Sequence, residues 1–158
     1  LQPYSTTLLN HLPLQKKQAM KSRVLLNRLR ITAIVLLFLV SLNALAAGYS
    51  FIIDPSGKGL GIATAYLRPS APFDDYLIPG IILFTVIGVL SSLIAVLAIL
   101  KLKHYPLLFV LQGCILVGWI TIQLTMVTAF HPLHLIIASI GVTLIVIGLA
   151  LRKEVDMA

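Results

Sequence analysis

LIPGIILFTVIGVLSSLIAVLAIL, residues 77–100, runs for twenty-four residues without an Asp, Glu, Lys, Arg or His. Wound as a helix it is about 36 Å long, enough to cross the roughly 30 Å hydrocarbon core of a bilayer. Pro79 falls in the first turn, where its missing N–H costs no helical hydrogen bond. Three other stretches, 31–53, 107–130 and 135–151, are equally free of charge. Together they predict an all-α integral membrane protein, an antiparallel bundle of four transmembrane helices.

Composition points the same way. The chain has 158 residues, 59% hydrophobic and 11% charged, whereas a soluble domain carries roughly 25% charged residues to cover its surface. Four spans and their connections use almost the whole length, which leaves one domain with no separate soluble catalytic unit. The expected division is a basic arm over 1–30, the transmembrane domain over 31–151, an outer loop over 54–76 and a short tail over 152–158.

The formal net charge is +7, and its distribution decides what it means. Lys16, Lys17, Lys21, Arg23, Arg28 and Arg30 precede the first span, Lys101 and Lys103 lie between the second and third, and Arg152 and Lys153 follow the fourth. Only Lys58 and Arg68 fall on the other side, with Asp54, Asp74 and Asp75. Because short loops rich in Lys and Arg stay in the cytoplasm, both termini and the second loop are expected inside. The six basic residues of the arm are then candidates for contact with anionic lipid headgroups or with a protein partner. Nucleic acid is not expected as a partner, since no stacking aromatics are interleaved with these charges.

Pro13 divides the arm. Residues 1–12 show no period and read as a loose arm or a short interfacial turn, while Leu14, Ala19, Met20, Val24, Leu25, Leu26 and Leu29 alternate with the basic residues as in an amphipathic interfacial helix running into the first span. Ala44-Leu45-Ala46 resembles a signal-peptidase site, but the apolar run continues beyond it, so a retained anchor is expected. In the outer loop, Asp54-Pro55-Ser56-Gly57 is a turn signal. Lys58-Gly59-Leu60-Gly61 lacks the Gly-Lys-Ser/Thr ending of a phosphate loop. A short surface helix is expected over 60–67, with Tyr66, Phe73 and Tyr76 as headgroup-level anchors. His131-Pro132-Leu133-His134 makes the last connection tight.

Inside lipid, small residues mark the seams along which helices pack. The expected seams are Gly88, Ser91, Ala95 and Ala98 on the second span, Cys114, Gly118, Thr121 and Thr125 on the third, Ala138, Gly141 and Gly148 on the fourth, and Asn43, Ala47 and Ser50 on the first. Another face of the third span carries Gln112, Leu116, Trp119, Gln123 and Met126. Buried amides need partners, so Gln112 and Gln123 are expected to turn inward, with Asn43 the natural hydrogen-bond partner for Gln123 or for the Trp119 indole. Asn43, Gln112, Trp119 and Gln123 are accordingly the candidate ligand-binding residues.

Other chemistry is thinly supported. Cys114 is a single cysteine, which excludes an internal disulfide and a two-cysteine redox relay. No span carries a histidine, which argues against haem, and none carries the ionisable residue of proton- or sodium-coupled transport. The intramembrane serines have no His or Asp to activate them. His131 and His134, on the side of Asp74 and Asp75, form a weak candidate for a metal or pH-sensing site. No cofactor and no enzymatic activity are expected.

Asp54-Pro55-Ser56-Gly57, the corner from Pro72-Phe73-Asp74-Asp75-Tyr76 to Ile78-Pro79-Gly80, and Gly118-Trp119 followed by Gln123 together resemble small uncharacterised four-span proteins of bacterial inner membranes. The resemblance spans 31–151 and implies that location without implying an activity. The leading expectation is a non-enzymatic accessory or scaffold subunit of a membrane complex, with a protein partner or as a homo-oligomer. The alternative is a binder or conduit for a lipid or other apolar small molecule, with Asn43, Trp119 and Gln123 lining its cavity.

Overall fold

The structure, a computed structural model, describes residues 4–62, 67, 71–128 and 131–156, with side chains described outside 4–17, 19 and 154–156. Lys16, Lys17, Tyr66 and Arg68 lie outside the described side chains. The fold is all-α, built on four helices long and apolar enough to cross a membrane. They are α1 (Tyr4–Ile53), α2 (Leu77–Ile99), α3 (Tyr105–Met126) and α4 (Pro132–Asp156). The protein is a multi-pass membrane protein by the length and composition of these helices.

The first helix contains no break between arm and span. It runs unbroken for 50 residues from Tyr4, through Pro13, where a boundary is expected from sequence. Leu26 and Leu29 pack against the core while Met20, Val24 and Leu25 stay exposed, so the bundle begins to grip this helix about a turn before the uncharged stretch starts.

The second span departs from regular α-helix. Leu77–Ile82 is α-helical, Leu83–Val89 is π-helical, and Leu90–Ile99 is α-helical again. The Thr85 hydroxyl donates to the Ile81 carbonyl at 2.7 Å, and the Leu90 N–H reaches back five residues to the Thr85 carbonyl. A hydroxyl competing for a backbone acceptor loosens the regular ladder, and wide turns of this kind recur where helices carry function. At its far end α2 stops with Lys101 in the left-handed region, φ 56°. Leu102 N–H donates to the Leu97 carbonyl and Lys101 N–H to that of Ala98, a wrapped-back cap usually built on glycine.

Two tight seams hold the bundle. Between α3 and α4, a Cβ added at Gly113 would lie 2.5 Å from the Gly141 carbonyl oxygen, and one at Gly148 would lie 2.6 Å from that of Pro106. Between α1 and α2, Gly48 faces the backbone of Phe84 at 2.6 Å and Gly80 faces Phe51 at 2.7 Å on the same construction. Further along, the Ser41 hydroxyl donates to the Gly88 carbonyl at 2.9 Å and is hydrogen-bonded to Ser92. Position numbers therefore fall along α1 as they rise along α2.

The seams only partly match their sequence reading. Gly88, Ser91, Ala95 and Ala98 are all buried, as the small-residue stripe on α2 predicts. On α3 the stripe faces outward: Cys114, Gly118, Thr121 and Thr125 are exposed. The two threonines need no partner helix, because their hydroxyls donate to the Val117 and Ile122 carbonyls of their own helix. The face that turns inward is Gln112, Gly113, Leu116, Trp119 and Met126. On α1 the seam lies one position round from Asn43 and Ala47, at Ser41, Ala44 and Gly48.

The connections differ in similar detail. The α3 helix ends at Met126, short of the apolar run's end at 130, because Val127 is extended (φ −99°, ψ 149°) and forms an isolated bridge with Leu67. Of the surface helix expected over 60–67, residues 63–66 lie outside the described residues. Only a single 3-10 turn, Lys58–Leu60, is present among the described residues of that stretch. Tyr76 is buried to 5% exposure and stacks on Phe51 with ring centroids 4.9 Å apart, so it anchors α1 to α2 instead of reaching for headgroups. Burial raises its phenol pKa above the ordinary 10.0.

Candidate functional site

The long loop is built from Asp54 outward. Its carboxylate accepts from the Ser56 hydroxyl, the Ser56 N–H and the Gly59 N–H. Gly57, at φ 71°, lets the chain double back so that Ile62 N–H donates to the Gly57 carbonyl at 2.9 Å. Any side chain there would meet the Ile62 carbonyl at 2.0 Å. Tyr76 N–H donates to the Pro55 carbonyl, closing the loop onto the start of α2. These bonds set Leu60, Gly61 and Ile62 over the loop end of the bundle.

The Asp54 carboxyl is held below its ordinary value of 3.8, chiefly by the Ser56 hydroxyl, then by the Gly59 N–H, with a smaller contribution from Lys58. A lowered folded pKa means stability that is fully present above the ordinary value and lost as pH falls through the lowered one. Hydrogen-exchange protection of the Gly59 amide, corrected for intrinsic rate, is therefore expected to hold at neutral pH and to fade only in acid below the ordinary carboxyl value of 3.8. Protection that disappears already near neutral pH would remove Asp54 as the organiser of the turn.

Beneath that loop lies a cavity of about 650 Å³. Its walls come from every helix: Val40, Asn43, Ala47 and Phe51 on α1, Pro79, Leu83 and Ile87 on α2, Trp119, Ile120, Gln123 and Met126 on α3, and Leu133 and Ile137 on α4. Leu60, Ile62 and Leu67 of the loop, and His131 and His134 at the start of α4, complete its lining. The volume lies within the roughly 300–1,000 Å³ typical of small-molecule sites. Two wall residues, Leu83 and Ile87, belong to the π-helical segment.

Three of the four ligand-binding candidates share this wall. Asn43, Trp119 and Gln123 line the cavity; Gln112 does not. The hydrogen bond expected from Asn43 to Gln123 or to the indole is not formed. Trp119 is 6% exposed, and its indole nitrogen is buried with no acceptor. An unpartnered buried N–H costs about 1–3 kcal/mol, a cost carried on the packed side of the ring, since the nitrogen itself has almost no accessible surface.

Gln112 has a different task. It is completely buried and its amide donates to the Ser91 hydroxyl at 2.8 Å, clasping α3 to α2. A contact to the Val86 carbonyl is long, at 3.5 Å, and the amide oxygen is without a partner. The sequence shows two inward glutamines; in the structure one is a clasp and the other a cavity-wall residue.

The histidines do not gather the acidic residues. Among the described residues, no group of three His, Cys, Asp or Glu side chains is close enough to hold a metal ion. His131 and His134 instead organise the start of α4. The Leu133 N–H donates to the His131 ring at 3.2 Å and the His131 N–H to the His134 ring at 3.1 Å, supplying acceptors at a helix start that opens with Pro132. Asp75 does the same for α2 by accepting from Leu77 N–H, and Asp74 is exposed.

On the arm, Lys21, Arg23 and Arg28 are exposed and Arg30 is half-buried, donating to the Asn27 side chain at 2.8 Å. All four lie on the part of α1 remote from the cavity, which opens near its last turns.

No protein family, curated protein or solved structure matches this chain. Its function has to be read from the cavity.

What sequence reasoning missed is the rest of the lining. Leu60, Ile62, Leu67, Leu83 and Ile87 are ordinary apolar residues in sequence, and only the wide π turn and the folded-back loop bring them to one space. Thr85, the hydroxyl within the π segment itself, is its one local sign in the sequence.

Proposed function

We propose that this chain is a membrane-embedded binder of a lipid or other apolar small molecule, which it holds in the cavity beneath the 54–76 loop. The observation that carries this reading is a mainly apolar space of about 650 Å³ bordered by all four helices, with Asn43, Trp119 and Gln123 on its wall and no hydrogen bond joining them. A structural polar clasp would have joined these groups to one another. Left apart around a space of ligand size, they supply orientation to a guest in the way that a few polar groups do in apolar sites.

The proposed setting is a bacterial inner membrane with both termini in the cytoplasm, supported by ten basic residues at the termini and the 101–103 turn against Lys58 and Arg68 at the other end. The cavity then faces the outer leaflet, where an apolar guest enters from the bilayer.

Extraction in mild detergent followed by native mass spectrometry tests the proposal. The wild-type protein is expected to carry an apolar molecule, and Gln123→Leu to lose most of it while its melting temperature stays within about 2 °C, as befits a side chain outside the packing seams. A wild-type protein that travels empty overturns the reading, and so does a Gln123→Leu variant that unfolds with its ligand unaffected.

The accessory-subunit reading is supported by the outward face of α3, where Gly118 leaves open space beside Cys114 and Thr121. Small residues facing lipid favour close approach of another helix. Co-extraction of a stoichiometric protein partner with an empty cavity would favour this second reading over the first.

A further inference from the structure

We propose that the end of the bundle remote from the cavity holds an anionic phospholipid by its phosphate, between Arg30, the turn carrying Lys101 and Lys103, and Arg152. The inference is independent of the cavity reading. It begins with register. Phe51 lies opposite Gly80, Gly48 opposite Phe84 and Ser41 opposite Ser92. Continued at the same rise along both helices, Arg30 comes level with the turn that carries Lys101 and Lys103. In the other pair Gly148 faces Pro106, and one turn further along α4 Arg152 reaches that same level.

Lys101, Lys103, Arg152 and Lys153 are exposed. Arg30 is half-buried and held in place, with its Nε packed out of solvent and a terminal nitrogen donating to Asn27 at 2.8 Å. Ten Lys and Arg belong to this end of the chain's helices, against Glu154 and Asp156.

Lys101 is the telling residue. Its φ of 56° is the left-handed conformation that glycine adopts freely and a lysine only at a cost. Strain of this kind persists where the surroundings over-determine it, and it gathers at ligand clamps. The cap around it, from the Lys101 N–H to Ala98 and from the Leu102 N–H to Leu97, would form at least as well on glycine. What glycine could not supply is the ammonium.

Depth and flank select the ligand. The uncharged runs stop at Ile31, Leu100 and Leu151, so these cations stand where the helices leave the hydrocarbon, at the level of the bilayer's own phosphates. Ammonium and guanidinium groups only donate, and they pair strongly with phosphate oxygens. Beside them Leu100, Leu107 and Leu149 present exposed apolar surface. That surface suits the acyl chains of a lipid and offers nothing to a free phosphate.

Native mass spectrometry of the full chain, released from nanodiscs of equal dioleoylphosphatidylglycerol and dioleoylphosphatidylcholine, tests the proposal. Wild-type protein is expected to retain phosphatidylglycerol over phosphatidylcholine at least about tenfold, since each basic residue near the surface is worth about fivefold. Lys101→Gly is expected to lower that preference about fivefold while its melting temperature stays unchanged or rises, because glycine relieves the left-handed strain. Arg30→Gln is expected to lower it to a similar degree, and Lys58→Gln at the opposite end to leave it unchanged.

Equal retention of the two lipids by the wild type overturns the proposal. So does a preference that survives both Lys101→Gly and Arg30→Gln, or one that falls as far in Lys58→Gln. A melting temperature raised as much by inorganic phosphate as by phosphatidylglycerol would make free phosphate the ligand and overturn the lipid assignment. An Arg30→Gln protein that fails to fold leaves the wild-type comparison and the Lys101→Gly test intact.

Discussion

Gly113→Ala is expected to destabilise the bundle by about 2–3 kcal/mol, while Gly118→Ala on the same helix is expected to be neutral or to stabilise it by up to about 1 kcal/mol. The two substitutions are chemically identical. At position 113 the added methyl would sit 2.5 Å from the Gly141 carbonyl oxygen and 3.0 Å from the Ile145 backbone nitrogen, and backbone cannot swing aside as a side-chain tip can. Relief requires α3 and α4 to separate, which forfeits contacts along the seam from Pro106 with Gly148 to Leu116 with Gly141. At position 118 nothing lies within 4 Å of the added atom. There the methyl only removes glycine's backbone freedom from a helix interior. Unfolding in mixed detergent micelles, followed by helical circular dichroism, checks the pair. Equal losses at both positions would mean that the outward face of α3 is packed after all.

The same pair shows what could be read from sequence and what could not. The four spans were legible because lipid imposes a length and a ban on charge that no soluble element has to meet. Which way each span faces was harder. Gly88, Ser91, Ala95 and Ala98 face inward as their spacing indicates. Cys114, Gly118, Thr121 and Thr125 carry the same spacing and face outward, because a threonine hydroxyl satisfied by its own helix is no more costly in lipid than in a seam. Smallness permits close packing without requiring it. The inward side of α3 was signalled more reliably by Gln112, a group that lipid cannot satisfy.

The cavity was legible in part for that reason. Asn43, Trp119 and Gln123 are conspicuous in apolar helices, and the structure sets all three on one wall. Their expected mutual hydrogen bond is absent, because a bond needs a distance as well as a shared level, and the distance is fixed by seams elsewhere. Gly48 with Phe84 and Gly113 with Gly141 pin the helices in two pairs. The Gln112–Ser91 clasp ties the pairs together away from the 54–76 loop. Nearer the loop the π-helical stretch of α2 re-aims Leu83 and Ile87, and the space that remains is the cavity.

Ala47→Phe is expected to weaken ligand binding at least about tenfold, a loss of about 1.4 kcal/mol, with stability unchanged or slightly raised. Ala47 lines the cavity and is half-buried, one helical turn from both Asn43 and Phe51. A ring placed there enters the free volume between those two levels and competes directly with the guest for the Trp119 wall. Filling an apolar space adds contacts to the folded protein, so a defect in binding comes without a defect in folding. Ala46→Phe is the matched control, because Ala46 is exposed and does not line the cavity. Retention of the co-extracted apolar molecule by native mass spectrometry, measured beside the melting temperature of each variant, decides the matter. Binding that survives Ala47→Phe at full strength would place the guest on another surface of the bundle, whereas a parallel loss in both variants would trace the effect to the ring itself.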